Sequence, residues 1–308
     1  MRTVVIVSPD KPDIYFANQL AKMLNVVGIV VENQTPERDS SSLVRKAMKY
    51  ASTPVQFFQK VLDVLDRRFI EPRQPYNDTE NSLDFGEEGR VLLVGEGVEV
   101  LHTQGVNAIN DPKYQTWIRN LYPDVIAVCG ASILKADTLS ISKYGVLNLH
   151  GGLSQFYRGL FTTEWAIHNR EPECVGATVH FVAEGVDDGD VIYQGRPDIE
   201  EGDHPNSLCE KVARLGVQMM VRAVSDIEQS RCQATKLDAR GRLYLNNMFD
   251  VKVKRATWQR IRGGVISDYL ADKATRDQRI TAALINEFSE MRDLEQAAAS
   301  AEHSRETG

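Results

Sequence analysis

Apolar positions in this chain follow two periods. Continuous β-branched runs predict buried strands at Thr3 to Ser8 and Val26 to Val31. Between them Ile14, Ala17, Leu20, Ala21 and Leu24 recur at helical spacing. Strand, helix and strand at this separation form a βαβ unit, which calls for a parallel sheet. The alternation resumes later, with strands predicted at Arg90 to Val94, Asp124 to Cys129 and Gly145 to Leu149 and helices at Asp111 to Leu121 and Lys135 to Ser140. Thr162 to Asn169 is a further helix, and the strands Ala177 to Val182 and Val191 to Gln194 flank a short acidic loop. Pro205 to Ile227 is a long amphipathic helix with Leu208, Val212, Leu215 and Met219 on one side. The fold class is α/β, with a Rossmann-like, mostly parallel sheet.

Two regions break the alternation. Residues 34–89 carry helical stretches at Ser41 to Tyr50 and Val55 to Phe69, then Pro72, Pro75 and a polar run, and read as a helical insertion capping the sheet. After residue 231 the composition turns basic. Residues 232–285 hold eleven Lys and Arg against five Asp, with a short strand candidate at Arg242 to Leu245, and are expected to form a small C-terminal module. The main domain is therefore expected over 1–231. Residues 286–308, rich in Ala, Glu and Ser, are expected to be a flexible tail.

Composition narrows the classes. With 308 residues, 42% hydrophobic and 26% charged, the chain fits a soluble globular protein with one large domain and a smaller one. Its net charge of −7 disfavours the whole chain as a nucleic-acid or anionic-membrane binder, although the local excess after residue 231 has the opposite sign. Cys129, Cys174, Cys209 and Cys232 lie far apart with no CxxC spacing, so neither a zinc site nor a redox motif is expected. The apolar run Val4 to Val7 is too short for a signal peptide or membrane span, so a cytoplasmic location is expected. The first strand-to-helix turn, Pro9 to Asp13, has no glycine and lacks the usual backbone cradle for a phosphate. Gly95-Glu96-Gly97 opens like a dinucleotide fingerprint, but the third glycine is absent and a strand follows, so it reads as a turn.

The candidate chemistry lies around Asn148 and His150, two apart and hence on one face of a strand, followed by Gly151 and Gly152, which release the chain into a loop. A carboxylate partner is available in Val186-Asp187-Asp188-Gly189. Asn, His and Asp serve several reactions. A nucleophile triad would need a Ser on a sharp turn, and there is no GxSxG; a metal site would need further ligands, with His180 as one candidate. Acyl transfer to an amine needs an oxyanion donor, a proton acceptor and a tuning carboxylate, which Asn148, His150 and Asp187 can supply. Spacing leaves all three readings open.

The ordered motifs resemble those of the N10-formyltetrahydrofolate-dependent formyltransferases. That family carries Asn-x-His, then a Ser-Leu-Leu-Pro-like loop and a glycine, and later a Val/Leu-Asp-x-Gly loop. The matching residues here are Asn148-Leu149-His150, Leu153, Arg158-Gly159 and Val186 to Gly189. Gly176 to Glu184 is similar to the glycinamide ribonucleotide enzymes, and Tyr157-Arg158-Gly159 to the methionyl-tRNA enzymes. Similarity extends over about residues 90–228, and loosely over the first thirty. The resemblance implies the formyltransferase variant of the sheet and a catalytic trio of Asn148, His150 and Asp187. It implies a pterin pocket lined by Gly130, Ala131, Ser132, Ile133 and Leu134 together with Glu184, Gly185 and Val186. Gly152, Tyr157 and Arg158 are the candidate substrate-binding residues, Arg158 as a grip on the donor or on an acidic acceptor. The co-substrate implied is N10-formyltetrahydrofolate, with no metal and no membrane partner expected. The acceptor implied is a primary amine, foremost that of a nucleotide-linked amino sugar or related small metabolite. Methionyl-tRNA formylation, hydrolysis of the formyl donor and a non-catalytic folate- or nucleotide-binding module are the alternatives.

Two departures from the family pattern matter. Gly152-Leu153-Ser154-Gln155 stands where the Ser-Leu-Leu-Pro loop would be, and loss of the proline predicts a looser loop. Asp10-Lys11-Pro12 replaces the glycine-rich first loop of the glycinamide enzymes, which argues against a ribonucleotide phosphate there.

Overall fold

The computed structural model describes residues 1–33, 58, 61–62, 64–78, 81–183 and 186–288. The helix expected over Ser41 to Tyr50 and the tail from residue 289 lie outside these residues, as do Glu184 and Gly185. Of the second insertion helix, residues 61–62 and 64–65 are helical, and Asp66–Ile70 forms a π-helical turn.

The β-branched N-terminal run forms β1 (Thr3–Val7), α1 (Lys11–Met23) follows with Pro12 in its first turn, and β2 (Val26–Asn33) returns parallel to β1. Next come β3 (Glu99–Gln104), α2 (Pro112–Asn120), β4 (Val125–Cys129), α3 (Ala136–Leu139) and β5 (Val146–His150). After β5 the chain forms the short β6 (Tyr157–Gly159), α4 (Thr162–His168), β7 (Ala177–Phe181), β8 (Val191–Gly195) and the long α5 (Pro205–Glu228). The main sheet has the order β3-β2-β1-β4-β5-β7-β8, with the first five strands parallel and β7 antiparallel to both neighbours. The fold is thus α/β with a mostly parallel Rossmann-like sheet. Strand order reverses between β1 and β4, so crevices at the carboxyl ends of β1, β4 and β5 are where such sheets place ligands.

The strand expected at Arg90 to Val94 does not form. The edge position beside β2 is taken by β3, and the Asn18 side chain serves the displaced backbone instead: its amide N–H groups bind Glu88 O and Val91 O, and its carbonyl accepts from Leu93 N–H. A side chain has replaced a ladder, which satisfies the buried backbone groups without a strand.

One sheet face packs on α1 and α5. There Leu147 and Leu149 of β5 meet Val212, Met219, Met220 and Val224 in the larger core cluster. Gly216 brings α5 unusually close: a Cβ there would lie 2.5 Å from Leu149 Cδ2. The opposite face carries Val146 in a second cluster with Ile118, Leu121, Ile126 and Val128. On β5 this face then continues into Asn148 and His150.

The basic segment is folded onto the rest of the chain. β9 (Arg242–Tyr244) pairs in parallel with β6, and α6 (Val251–Arg262), α7 (Val265–Ala271) and α8 (Lys273–Thr281) follow. Many of its cations are spent within the molecule. Arg240 pairs with Asp188, Lys254 with Glu71, Arg255 with Asp66, and Arg276 with Glu173. Among the described residues no helix is long and apolar enough to cross a membrane, and no group of three or more His, Cys, Asp or Glu could hold a metal ion.

Candidate active site

Side chains alternate along a strand, so Asn148 and His150 share the face opposite Leu147 and Leu149. The antiparallel register then sets His180 of β7 opposite Asn148 and Thr178 opposite His150, and Gln194 of β8 opposite Thr178. Five polar side chains thereby form one band across three strands. Asp187 reaches this band from the loop after β7. Two local features let the loop fold back. Asp187 is left-handed at φ 48°, a conformation that Asp tolerates better than most residues, and a Cβ at Gly189 would lie 1.6 Å from Phe181 O.

The carboxylate is held from several sides. Asp187 Oδ2 accepts from Gly159 N–H at 2.8 Å and lies 3.4 Å from His150 Nδ1; Oδ1 accepts from Asn148 Nδ2 at 3.5 Å and lies 3.7 Å from His180 Nε2. Burial alone would push this carboxyl up. The charge of His150, the nearby His180 ring and the Gly159 N–H outweigh that and hold it at about 2. His150 is buried, and both its ring nitrogens face acceptors, Nε2 donating to Tyr157 O at 2.9 Å and Nδ1 facing Asp187. His180 Nδ1 donates to Phe181 O at 2.8 Å, which leaves Nε2 as an acceptor for Asn148 Nδ2 at 3.1 Å. One Asn148 N–H is therefore anchored on His180, while the other makes only the long 3.5 Å bond to Asp187 and is readily exchanged.

Asn148, His150 and Asp187 are thus brought together. Tyr157 is a correction. Its side chain is buried, its hydroxyl donates to Glu171 and accepts from Asn169, and its ring stacks on Tyr244; what it offers the site is its backbone carbonyl. Burial and the Glu171 carboxylate push its phenol far above the usual range. Arg158 likewise does not reach out for a ligand: Nε donates to Gly241 O and Nη1 to Val186 O, which ties β9 to the Asp187 loop. Gly152 contributes space, because a Cβ there would stand 2.7 Å from His150 Nε2.

The loop after β4 divides. Gly130 is exposed and left-handed, Ile133 is 64% exposed, and the Ser132 N–H is taken by Glu32. Leu134 is buried and belongs to the second core cluster. Val186 is half-buried, and Glu184 and Gly185 lie outside the described residues.

The loop Gly152 to Gln155 is not loose. Gln155 and Gln194 exchange amide hydrogen bonds in both directions, and Thr178 Oγ1 donates to Gly152 O. β9 closes the outer side through Gly241 N–H to Ser154 O and Arg242 N–H to Phe156 O. Hydrogen bonds do here what the absent proline would do by restricting the backbone. Residue types and spacing gave no signal for this, since Gln155, Gln194 and Gly241 meet only through tertiary pairing.

A family model described as "Formyl transferase" matches residues 83–224. Among curated relatives, the methionyl-tRNA formyltransferase of Caldanaerobacter subterraneus subsp. tengcongensis is 32% identical over 141 residues, which is 46% of this chain and 45% of the relative. That of Pelotomaculum thermopropionicum is 36% identical over 122 residues, 39% of each chain. The matched stretch spans about half the length of these relatives or less. Among solved structures, a sugar N-formyltransferase from a Shewanella species has a TM-score of 0.49 and 17% identity, over 84% of this chain and 88% of that one. Phosphoribosylglycinamide formyltransferase from Anaplasma phagocytophilum has a TM-score of 0.49 and 16% identity, over 80% of this chain and 98% of that one.

Proposed function

We propose that this chain, whose residues 83–224 match the formyl transferase family model, moves a formyl group from N10-formyltetrahydrofolate to a primary amine. The observation that carries this reading is the Asp187 carboxylate, kept ionised between His150 and the Gly159 N–H and placed beside an Asn148 amide with an exchangeable N–H.

The amine attacks the formyl carbon. The second N–H of Asn148 leaves its long bond to Asp187 and turns to the developing oxyanion, while the first stays on His180. The amine gives its proton to Asp187, directly or through a water, the relay returns a proton to N10, and tetrahydrofolate departs as the N10–formyl bond breaks and the carbonyl re-forms. A carboxyl held near 2 is a weak base, so Asp187 orients and relays the proton and does not store it. His150, bonded at both nitrogens, acts by holding Asp187 charged and in place. The exposed Ile133 beside Gly130 offers an apolar ledge for the pterin ring.

A nucleotide-linked amino sugar, or a related small metabolite, is the acceptor class we favour. The ion pairs of Arg240, Lys254, Arg255 and Arg276 support this, because they withdraw the cations that a polynucleotide backbone would need. The second reading, methionyl-tRNA, draws its support from the activity named for the curated relatives. The deciding experiment incubates the purified chain with the formyl donor and pooled amines, including sugar nucleotides, amino acids and aminoacyl-tRNA. A donor-dependent mass gain of one formyl group on a sugar nucleotide is expected. Formylated tRNA would select the second reading, and formate released without an amine would show a hydrolase.

A further inference from the structure

The chain returns to the site a second time, after α8. Residues 283–288 run along β8. Phe288 N–H donates to Gln194 O at 2.7 Å, Gln194 N–H to Asn286 O at 3.4 Å, and Asn286 Nδ2 to Val191 O at 3.2 Å. Asn286 is left-handed at φ 47°, and its side chain also binds Gln233 O and Thr235 Oγ1, so the turn is fixed on both sides.

The amides of Gln155 and Gln194 use these returning groups fully. Each donates to the other, at 2.9 and 2.6 Å. Gln155 Nε2 also donates to Ala283 O at 2.9 Å, and Gln194 Nε2 to Thr178 Oγ1 at 3.1 Å. Gln194 Oε1 further accepts from Ile285 N–H at 2.9 Å. Gln194 is completely buried, and a saturated amide network of this kind selects one arrangement, because any shift strands a buried donor or acceptor.

The network leads to the imidazole in two steps. Thr178 Oγ1 receives Ser154 N–H at 3.3 Å and donates to Gly152 O at 2.7 Å, so it sets the loop that starts against His150. Two residues beyond Gln155, Tyr157 O accepts the His150 Nε2 proton at 2.9 Å. Gly152 walls one side of the ring and Tyr157 holds its far nitrogen.

We propose that Gln155 and Gln194 are positioning residues for His150, and that residues 283–288 act as a strap that locks this amide pair. This rests on the formyl-transfer reading for its kinetic consequence, but not for its structural one. Neither glutamine is placed against the substrate, and the strap acts only through them. The C-terminal segment is on this account part of the site and not only a neighbour of it.

The test uses the full chain with Gln155→Ala, Gln155→Glu, Asn286→Ala and the Gln155→Ala/Asn286→Ala double variant. Gln155→Glu keeps the acceptor and removes the donor to Ala283 O and Gln194 Oε1, so it should behave like Gln155→Ala. Each single variant should lower kcat about tenfold with the donor KM changed less than about twofold, and the double variant should fall little further, because both changes open one network. The nitrogen chemical shifts of the His150 imidazole, assigned by their loss in His150→Ala, should move in every variant. Wild-type kcat with unmoved His150 shifts in both Gln155 variants, or fully multiplicative losses in the double variant, would overturn the proposal. If the wild-type chain transfers no formyl group, the functional reading fails, and the His150 shifts still decide the positioning role.

Discussion

Gly152 backs directly onto His150: a Cβ at residue 152 would lie 2.7 Å from His150 Nε2 and 3.0 Å from Thr162 Cβ. Thr162 cannot yield, because its hydroxyl donates to Gly151 O and its backbone opens α4. In Gly152→Ala the imidazole must therefore swing off Tyr157 O, taking its other nitrogen away from Asp187. A displacement of about 1 Å at a reacting centre can cost on the order of 10²-fold in rate. Gly152→Ala is expected to lose about that much kcat while the urea midpoint moves far less than for a core truncation. Steady-state kinetics and a urea titration on one preparation check it; undiminished turnover would refute this role of Gly152.

Asp13 makes stability depend on pH. It is buried at the end of the crevice between β1 and β4, where Ser8 Oγ donates to it at 2.6 Å and Cys129 Sγ approaches at 3.3 Å. Burial raises its carboxyl from 3.8 to about 6, against the lowering effect of those two hydrogen bonds. The native state thus holds a proton that the unfolded chain releases between pH 4 and 6. By linkage, stability is greatest below about pH 4, falls as pH rises through 6, and is level above that. Two pH units correspond to roughly 3 kcal/mol as an upper figure. Asp13→Asn should be close to neutral in stability at pH 4, stabilising by up to roughly 2–3 kcal/mol at pH 8, and should flatten the slope between. Urea unfolding at pH 4, 6 and 8 checks this; an Asn variant as pH-dependent as wild type would count against it.

Gly216 separates two opposing effects. In a helix, Gly→Ala usually gains up to about 1 kcal/mol. At this position, however, the new methyl group would meet Leu149 Cδ2 at 2.5 Å and Cδ1 at 2.6 Å, and Leu149 lies between Asn148 and His150 on β5. Overpacking of this kind costs about 1–3 kcal/mol. Gly216→Ala should destabilise the protein and lower kcat as β5 shifts, whereas Gly216→Ala combined with Leu149→Val should recover part of both. Denaturant midpoints of the single and double variants read the balance.

How much of this was legible in the sequence depends on the range of the interaction. The sharing of one face by Asn148 and His150 follows from the two-residue period of a strand, and the parallel β1-α1-β2 start follows from its periods alone. The failed strand at Arg90 to Val94 shows the limit of that reasoning. An apolar run becomes a strand only if an edge is free, and β3 had taken it, so Asn18 satisfied the backbone instead. His180 was visible as a strand residue, but only the β5–β7 register sets it against Asn148. Resemblance to the family makes Arg158 and Tyr157 candidates for substrate binding. What turned them inward was β9, which lies more than eighty residues away in the chain and whose pairing partner no local pattern encodes. Loss of the loop proline predicts a looser loop, and the loop is instead held by the amide pair of Gln155 and Gln194, a long-range contact that no local pattern encodes.

Arg158 offers the sharpest test of how the C-terminal strand reaches the chemistry. Its guanidinium spans two carbonyls, Nε to Gly241 O at 3.0 Å and Nη1 to Val186 O at 3.2 Å, while the next residue's N–H holds the Asp187 carboxylate. A lysine carries the same charge but one nitrogen, and it cannot hold both carbonyls in a fixed fork. If Arg158 served mainly as a cation, Arg158→Lys would keep most activity. Because it serves as a brace, Arg158→Lys and Arg158→Ala should lose similar amounts, about tenfold in kcat, with donor KM nearly unchanged. Arg240→Ala gives the contrast. Its ion pair with Asp188 is half-exposed on the arginine side, and such pairs contribute about 0–1 kcal/mol. It should cost only a few-fold in kcat, and raising salt should narrow the gap between it and wild type. Measuring kcat of the three variants at low and high ionic strength separates the two roles: a lysine variant far more active than the alanine variant would show that charge, and not the two-carbonyl bridge, is what residue 158 supplies.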